Sequence, residues 1–307
     1  GKRWVKGEGF QPWYQSSFDA SPHSYGQPRV IGHELSGRFI KTVDDSIGLF
    51  VLPQDTISLE ERLESISHEG CLPSKLGFRR SPDRKIFTSP LVLINKGFTK
   101  FAFASFDVMF QHSLRGISGP TGDAELLSFL VVFLKSHLAK YYYFHTAGSL
   151  GTERDEVRVH ELMRLPFPLP GSPNSHKDSE AIVAEVASRM KALQTEVAME
   201  YAKAESASDF ELRAKSLAET RRDRVEQLQA DLEPLVYKYF KLNKYEIMHI
   251  EDTCEIISPS ATPTSPTVRT KTTDPTSANE RLQYADLLCK TLNKWSESDR
   301  SRSDTAP

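Results

Sequence analysis

Gly122-Asp123-Ala124-Glu125-Leu126-Leu127-Ser128-Phe129-Leu130-Val131-Val132-Phe133-Leu134-Lys135, continued by Ser136 to Phe144, is the stretch on which the fold turns. Leu126, Phe129, Leu130, Phe133, Leu134, Leu138 and Tyr141 return at spacings of three and four, the period of one buried helical face. The spacing predicts a helix over 122–144, with Asp123, behind Pro120 and Gly122, at its positive N-terminal end. Its longest apolar run, Leu126 to Leu134, is interrupted by Ser128 and soon followed by Lys135, too short a span for a bilayer. Such a face has to be covered by something else in the chain.

The residues before it supply the cover. From Gly1 to about Ser118 the chain is rich in Gly, Pro and aromatic residues, and strand signals fall at Ile47–Leu52, Ile86–Phe87, Leu91–Asn95 and Phe98–Phe106. Phe101, Phe103 and Ala104 among Lys96, Lys100 and Ser105 come close to the alternation of a half-buried strand, and Asn95-Lys96-Gly97 offers a tight turn before it. A β-rich module with one helix packed on its sheet follows. After it, Pro166, Pro168 and Pro170 force Leu162–Pro170 into an extended path unsuited to a central strand, so this segment is expected on an edge, leaving the domain.

Downstream the period is helical again. Ile182, Val186, Met190, Leu193, Val197 and Tyr201 mark one long amphipathic helix over 178–203. Leu217, Val225, Leu228, Leu232, Leu235 and Val236 mark a second over 210–240, with Glu205–Asp209 as the break, which together describe an antiparallel pair. From Ser258 to Ser277 the chain turns to Ser, Thr and Pro, the composition of a linker or strap. Leu282, Ala285, Leu288, Leu292 and Trp295 then predict a short amphipathic helix that needs a surface to dock on. The expected fold class is α+β, with segments at 1–172 (β-rich domain), 173–257 (helical spacer), 258–277 (linker) and 278–307 (helix and polar tail).

Composition narrows the chemistry. The 39 Lys and Arg nearly balance 41 Asp and Glu, so affinity for a polyanion has to come from local clustering. Cys71, Cys254 and Cys289 lie far apart without a C-x-x-C pair, which argues against a disulfide framework or structural zinc and for a reducing compartment. The N-terminus lacks the apolar core of a signal peptide, and the expectation is a soluble protein that is not exported. There is no G-x-x-x-x-G-K-[ST] loop, G-x-S-x-G elbow or H-E-x-x-H pair. His33-Glu34, His68-Glu69 and His160-Glu161 are adjacent pairs whose side chains diverge, and they read as surface or capping residues. Pro82-Asp83-Arg84-Lys85 looks like half of a nuclease signature whose second half is missing.

What does stand out is cations interleaved with aromatics. Arg79, Arg80, Arg84 and Lys85 fall in one predicted loop, and Lys96 and Lys100 beside the best strand, with Arg115 and Arg154 expected on flanking loops. Phosphates are neutralised by such residues, whereas planar and amide side chains read base edges, so these eight are the candidate DNA contacts. No catalytic and no metal-binding residue is assigned.

The order of several segments carries a resemblance. Ser89-Pro90-Leu91-Val92-Leu93-Ile94, the helix ending Lys140-Tyr141-Tyr142-Tyr143, Gly148-Ser149-Leu150-Gly151-Thr152-Glu153-Arg154 and Leu165-Pro166-Phe167-Pro168-Leu169-Pro170 together resemble the C-terminal target-recognition region of N6-adenine DNA methyltransferases. Such regions occur in methylase-specificity fusions and in specificity subunits of restriction-modification systems. Gly7-Glu8-Gly9-Phe10-Gln11-Pro12 looks like the way they begin. Leu235-Val236-Tyr237-Lys238-Tyr239-Phe240-Lys241-Leu242, Ile250-Glu251-Asp252-Thr253 and Tyr284-Ala285-Asp286-Leu287-Leu288-Cys289 are similar to their later part.

The resemblance implies a prokaryotic, cytoplasmic protein whose partners are double-stranded DNA and a methyltransferase catalytic domain or subunit, with no membrane. The family's [DNS]-P-P-[YF] motif and its Gly-rich methyl-donor motif do not occur here. The implied cofactor of this chain is therefore none, S-adenosylmethionine being expected only in a fused or partner catalytic domain. A base in a duplex must be extruded before it is methylated, so a separate module gripping the flanking sequence is a physical need. The competing expectation is a protein scaffold built on the long helices, for which DNA binding would be absent; a nuclease with scattered carboxylates is a third, predicting metal-dependent cleavage.

Overall fold

In the computed structural model of the chain, the described residues are 3–13, 29–30, 37–40, 48–58, 61, 77–80, 83–148, 157–205, 210–261 and 277–303. Four strands form an antiparallel sheet in the order β1-β10-β7-β8: β1 is Val5–Glu8, β7 Leu91–Asn95, β8 Phe101–Ala104 and β10 Leu114–Ser118. Two three-stranded sheets accompany it. One joins β2 (Gln11–Trp13), β6 (Gly77–Arg80) and β3 (Arg29–Val30); in the other, β4 (Arg38–Ile40) pairs antiparallel with β5 (Ile57–Ser58) and parallel with β9 (Val108–Phe110). The fold is α+β.

Alternation along β7 and β8 sends side chains to two different cores. Val92, Ile94, Phe101 and Phe103 join the cluster under helix α1 (Ala124–Lys135), while Leu91, Leu93, Ala102 and Ala104 join Phe10, Phe39, Ile86, Phe87 and Phe110 on the other face. The half-buried strand expected over 98–106 is thus a four-residue strand buried on both sides, which is why its small and large residues alike are apolar. Gly9 and Gly116 permit this crowding: a Cβ on Gly116 would lie 2.5 Å from the Phe110 ring, and one on Gly9 would overlap the Phe110 carbonyl.

Three further expectations are corrected. The strand predicted at Ile47–Leu52 is, over its described part, a loop making one isolated bridge, Phe50 to Phe103, with hydrogen bonds of 2.8 Å from Val51 to Phe103 and back to Leu49. Ile86 and Phe87 lie in a 3-10 turn, Arg84–Phe87, because Asp83 accepts from the Lys85 amide (3.0 Å) and winds the chain there. The helix predicted over 122–144 is two helices. Ser136 takes an extended conformation, donates to the Phe133 carbonyl at 2.6 Å and caps Ala139, starting α2 (His137–Thr146).

The long helices are α3 (Ser179–Glu205) and α4 (Phe210–Tyr239), followed by α5 (Lys244–Asp252). Their ion pairs, Arg189 with Asp231 and Arg224 with Glu196 and Glu200, have nearly constant residue sums, which fixes them as antiparallel. Both helices also enter the cluster beneath α1: Val186, Met190, Val225, Leu232 and Tyr239 are buried with Phe129 and Phe133. The proline segment does not leave along an edge. Phe167 turns inward, stacked on Phe133 (5.6 Å) and on Tyr239 (6.3 Å), and the Tyr239 hydroxyl donates to the Pro168 carbonyl at 2.5 Å. Burial pushes that hydroxyl up to about 12.

Residues Gly1–Ser258 make one compact unit and Pro259–Pro307 another. In the second, α6 spans Ala278–Ser303, longer than predicted, and Leu282, Tyr284, Leu287, Leu288 and Leu292 on it are exposed. Among the described residues no helix is long and apolar enough to cross a membrane.

Candidate nucleic-acid interface

Between β7 and β8 the chain reverses in a turn held by one side chain. Asn95 Oδ1 accepts from the amides of Thr99 and Lys100, both at 2.9 Å, and its Nδ2 donates to Thr99 Oγ1 at 2.9 Å. Phe98, at a φ of +53°, reaches down from this turn and packs edge-on against Phe101 (4.7 Å) and Tyr143 (4.4 Å). The anchor fixes the backbone, and it leaves Lys96 and Lys100, both half-buried, flanking the turn at one end of the sheet. A side chain in the left-handed region is held there only by packing of this kind.

Behind the turn, the Val157 amide donates to the Lys96 carbonyl at 3.2 Å, bringing the chain after residue 156 to the same end. Arg115 is not on a flanking loop. It lies in β10 with 3% of its surface exposed, donates to the Val157 carbonyl and faces Glu8 at 3.7 Å. A guanidinium so committed ties strands to loop and is not placed to take a phosphate. It forms the back of an open hollow of about 670 Å3 at the edge strand, where Lys6, Glu8, Arg158 and His160 also face.

Glu161 fastens the backbone near this end. One carboxylate oxygen accepts from the Gly148 amide (3.0 Å) and the other from the Arg158 amide (2.7 Å), so a single buried side chain joins Gly148 to Arg158. Burial acts to raise its pKa, but the two amides and the cations beside it prevail and hold the carboxyl below its ordinary value. The reading of His160-Glu161 as surface or capping residues did not single out Glu161, whose carboxylate is the group that caps. The signal available was the acid three residues after Arg158, the spacing by which a side chain turns back to a preceding amide.

Tyr141, Tyr142 and Tyr143 divide their work. Tyr143 is fully buried and donates to the Leu162 carbonyl at 3.0 Å, with burial pushing its hydroxyl upward; Tyr142 donates to the Arg164 carbonyl at 2.8 Å; Tyr141 packs against His145 and His249.

Of the predicted contacts, then, Lys96 and Lys100 share one rigid turn. Arg84 and Lys85 are exposed but belong to a different element, the 3-10 turn on the sheet face opposite α1. Arg79 and Arg80 end β6, where the backbone is described and the side chains are not, and Arg154 lies outside the described residues. Asp83, once half of a nuclease-like fragment, is the cap of that 3-10 turn. Among the described residues no group of three or more His, Cys, Asp or Glu could hold a metal ion. Cys254 is buried, its thiol pushed up to about 11 by burial and directed at the His137 carbonyl at 3.3 Å.

No model of a known protein family matches the chain, and no curated protein matches it.

Proposed function

We propose that this chain is the DNA target-recognition module of an N6-adenine DNA methyltransferase system, acting in the cytoplasm beside a catalytic domain or subunit that holds the S-adenosylmethionine. The observation that carries the reading is the Asn95–Lys100 turn, which presents two cations on a backbone fixed by Asn95 and Phe98. A turn whose backbone is already fixed suits phosphate positioning, since little loop entropy remains to be lost on binding. Lys96 and Lys100 are the assigned phosphate contacts, with Arg84 and Lys85 as a second, separate set. The ordered resemblance of the segments to methyltransferase recognition regions supports the same reading, and base contacts are assigned to the neighbouring loops.

Titration of the purified chain with duplex DNA across a salt series tests it. Association should weaken steeply with salt, with a logarithmic slope reduced by about two in Lys96→Ala/Lys100→Ala, because each phosphate contact contributes about 0.9. Binding that ignores salt or those two lysines would remove the assignment.

A second reading, a protein scaffold, is favoured by the exposed Leu282, Leu287, Leu288 and Leu292 of α6. It predicts no DNA binding at low salt and a protein partner lost with Leu288→Glu.

A further inference from the structure

The sheet edge, α1 and the proline segment leave a space between them. It is a cavity of about 330 Å3 whose wall is built from Trp4, Ile117, Leu130, Leu134, Leu162 and Phe167. Trp4 precedes β1, Ile117 lies in β10, and Leu130 and Leu134 sit one turn apart on α1. Of the side chains in that wall only Trp4 carries a polar atom, and its ring N–H already donates to Asp123 at 2.8 Å. Met163 and Leu169, both exposed, stand with Arg3 and Lys6 at the open side. An apolar space left open forfeits dispersion contacts along its walls, and water entering it finds little to hydrogen-bond. We infer that this cavity is a binding site for an uncharged apolar molecule about the size of a two-ring aromatic. The inference stands apart from the DNA reading, since it uses neither the Asn95–Lys100 turn nor any cation.

The walls are held by contacts that do not depend on a ligand. Trp4 lies over Gly119, where a Cβ would come 2.8 Å from its ring, and Arg3 and Trp4 both bind Asp123 at the start of α1. The opposite wall is the segment 162–169, fastened by three tyrosines. Tyr143 donates to the Leu162 carbonyl at 3.0 Å, Tyr142 to that of Arg164 at 2.8 Å and Tyr239 to that of Pro168 at 2.5 Å, while Pro166 and Pro168 restrict the backbone between those points. Phe167 is stacked on Phe133 and Tyr239, which keeps its ring from swinging in to fill the space. Its centroid lies 6.0 Å from that of Trp4, with the two planes tilted by 46°. Rings set at an angle offer apolar faces and edges on which a planar guest packs offset or edge-on. A charge carried inside would lose its hydration against side chains that give it no partner, and this sets the class of ligand.

The test is equilibrium dialysis of naphthalene against the full 307-residue chain, with the bound probe located by its nuclear Overhauser effects to the methyl groups of Ile117 and Leu130. A charge placed at the open side by Met163→Asp or by Leu169→Asp should weaken binding about tenfold in each case. Both positions are exposed, so the variants without probe should melt with the parent chain. Leu288→Glu, which removes an exposed leucine of α6, serves as the control for adsorption to apolar surface elsewhere. Saturable binding of one molecule per chain, in contact with those methyl groups, weakened by both open-side charges and unchanged in Leu288→Glu, is the expected result. No saturable binding, binding that Leu288→Glu alone removes, or binding indifferent to both open-side charges overturns the site.

Discussion

Asp123 shows what a single residue can do that its sequence context disguises. Beside a predicted helix start it reads as a capping acid, yet its carboxylate receives Arg3 Nε (2.6 Å), Arg3 Nη2 (2.5 Å) and Trp4 Nε1 (2.8 Å), tying the N-terminal strand region to α1 from 119 and 120 residues away. The Arg3 hydrogen bond, against the opposing effect of burial, lowers its pKa below the usual carboxylate value. A carboxyl with a depressed folded pKa contributes stability that is fully present above the unfolded value, about 3.9, and lost as pH falls through the folded one. Because Arg3 is half exposed, solvent screening limits the effect, and Asp123→Asn should cost about 1 kcal/mol at pH 7, a gap that closes in acid denaturation curves. Glu161→Gln should behave likewise, costing about 1 kcal/mol in denaturant unfolding at pH 7, because its carboxylate holds the Gly148 and Arg158 amides.

At the scale of elements, the periodic stretches were the legible part. The strands at 91–95 and 101–104 and both long helices follow from apolar spacing, since tertiary packing there agrees with local pattern. Elements set by individual hydrogen bonds were not legible: Ser136 breaks a helix whose apolar period runs on past it, and Asp83 winds a 3-10 turn where apolar residues suggested a strand. Arg221 is the sharpest case. It reads as one more charge on a solvated helix face, but it is 1% exposed, paired with Asp55 from 166 residues earlier and set over the Phe50 ring at 4.9 Å. Removing one partner of such a pair strands the other, so Asp55→Ala should destabilise by about 3 kcal/mol in denaturant unfolding, whereas Arg189→Ala, at an exposed pair, should change stability by less than about 0.5 kcal/mol.

For the whole molecule, the helical pair and the sheet share one hydrophobic cluster that runs from Leu49 to Tyr239 and crosses residue 172. A fragment ending at residue 172 would lose Val186, Met190, Val225 and Leu232 from that cluster and should not unfold cooperatively, while residues 1–258 should do so in a single transition. The sequence pattern could not disclose this, because a helix's apolar stripe records that a face is covered and not by what. The cations are subject to the same limit: spacing set Arg79, Arg80, Arg84 and Lys85 in one loop, and folding put Arg79 and Arg80 at the end of a strand and Arg84 and Lys85 in a 3-10 turn. The most direct test of the recognition role is to incubate the chain with a randomised pool of duplex DNA and sequence what it retains. One short enriched motif, reduced when Lys96 and Lys100 are replaced by alanine, is the predicted result; a retained pool as random as the input would contradict target recognition.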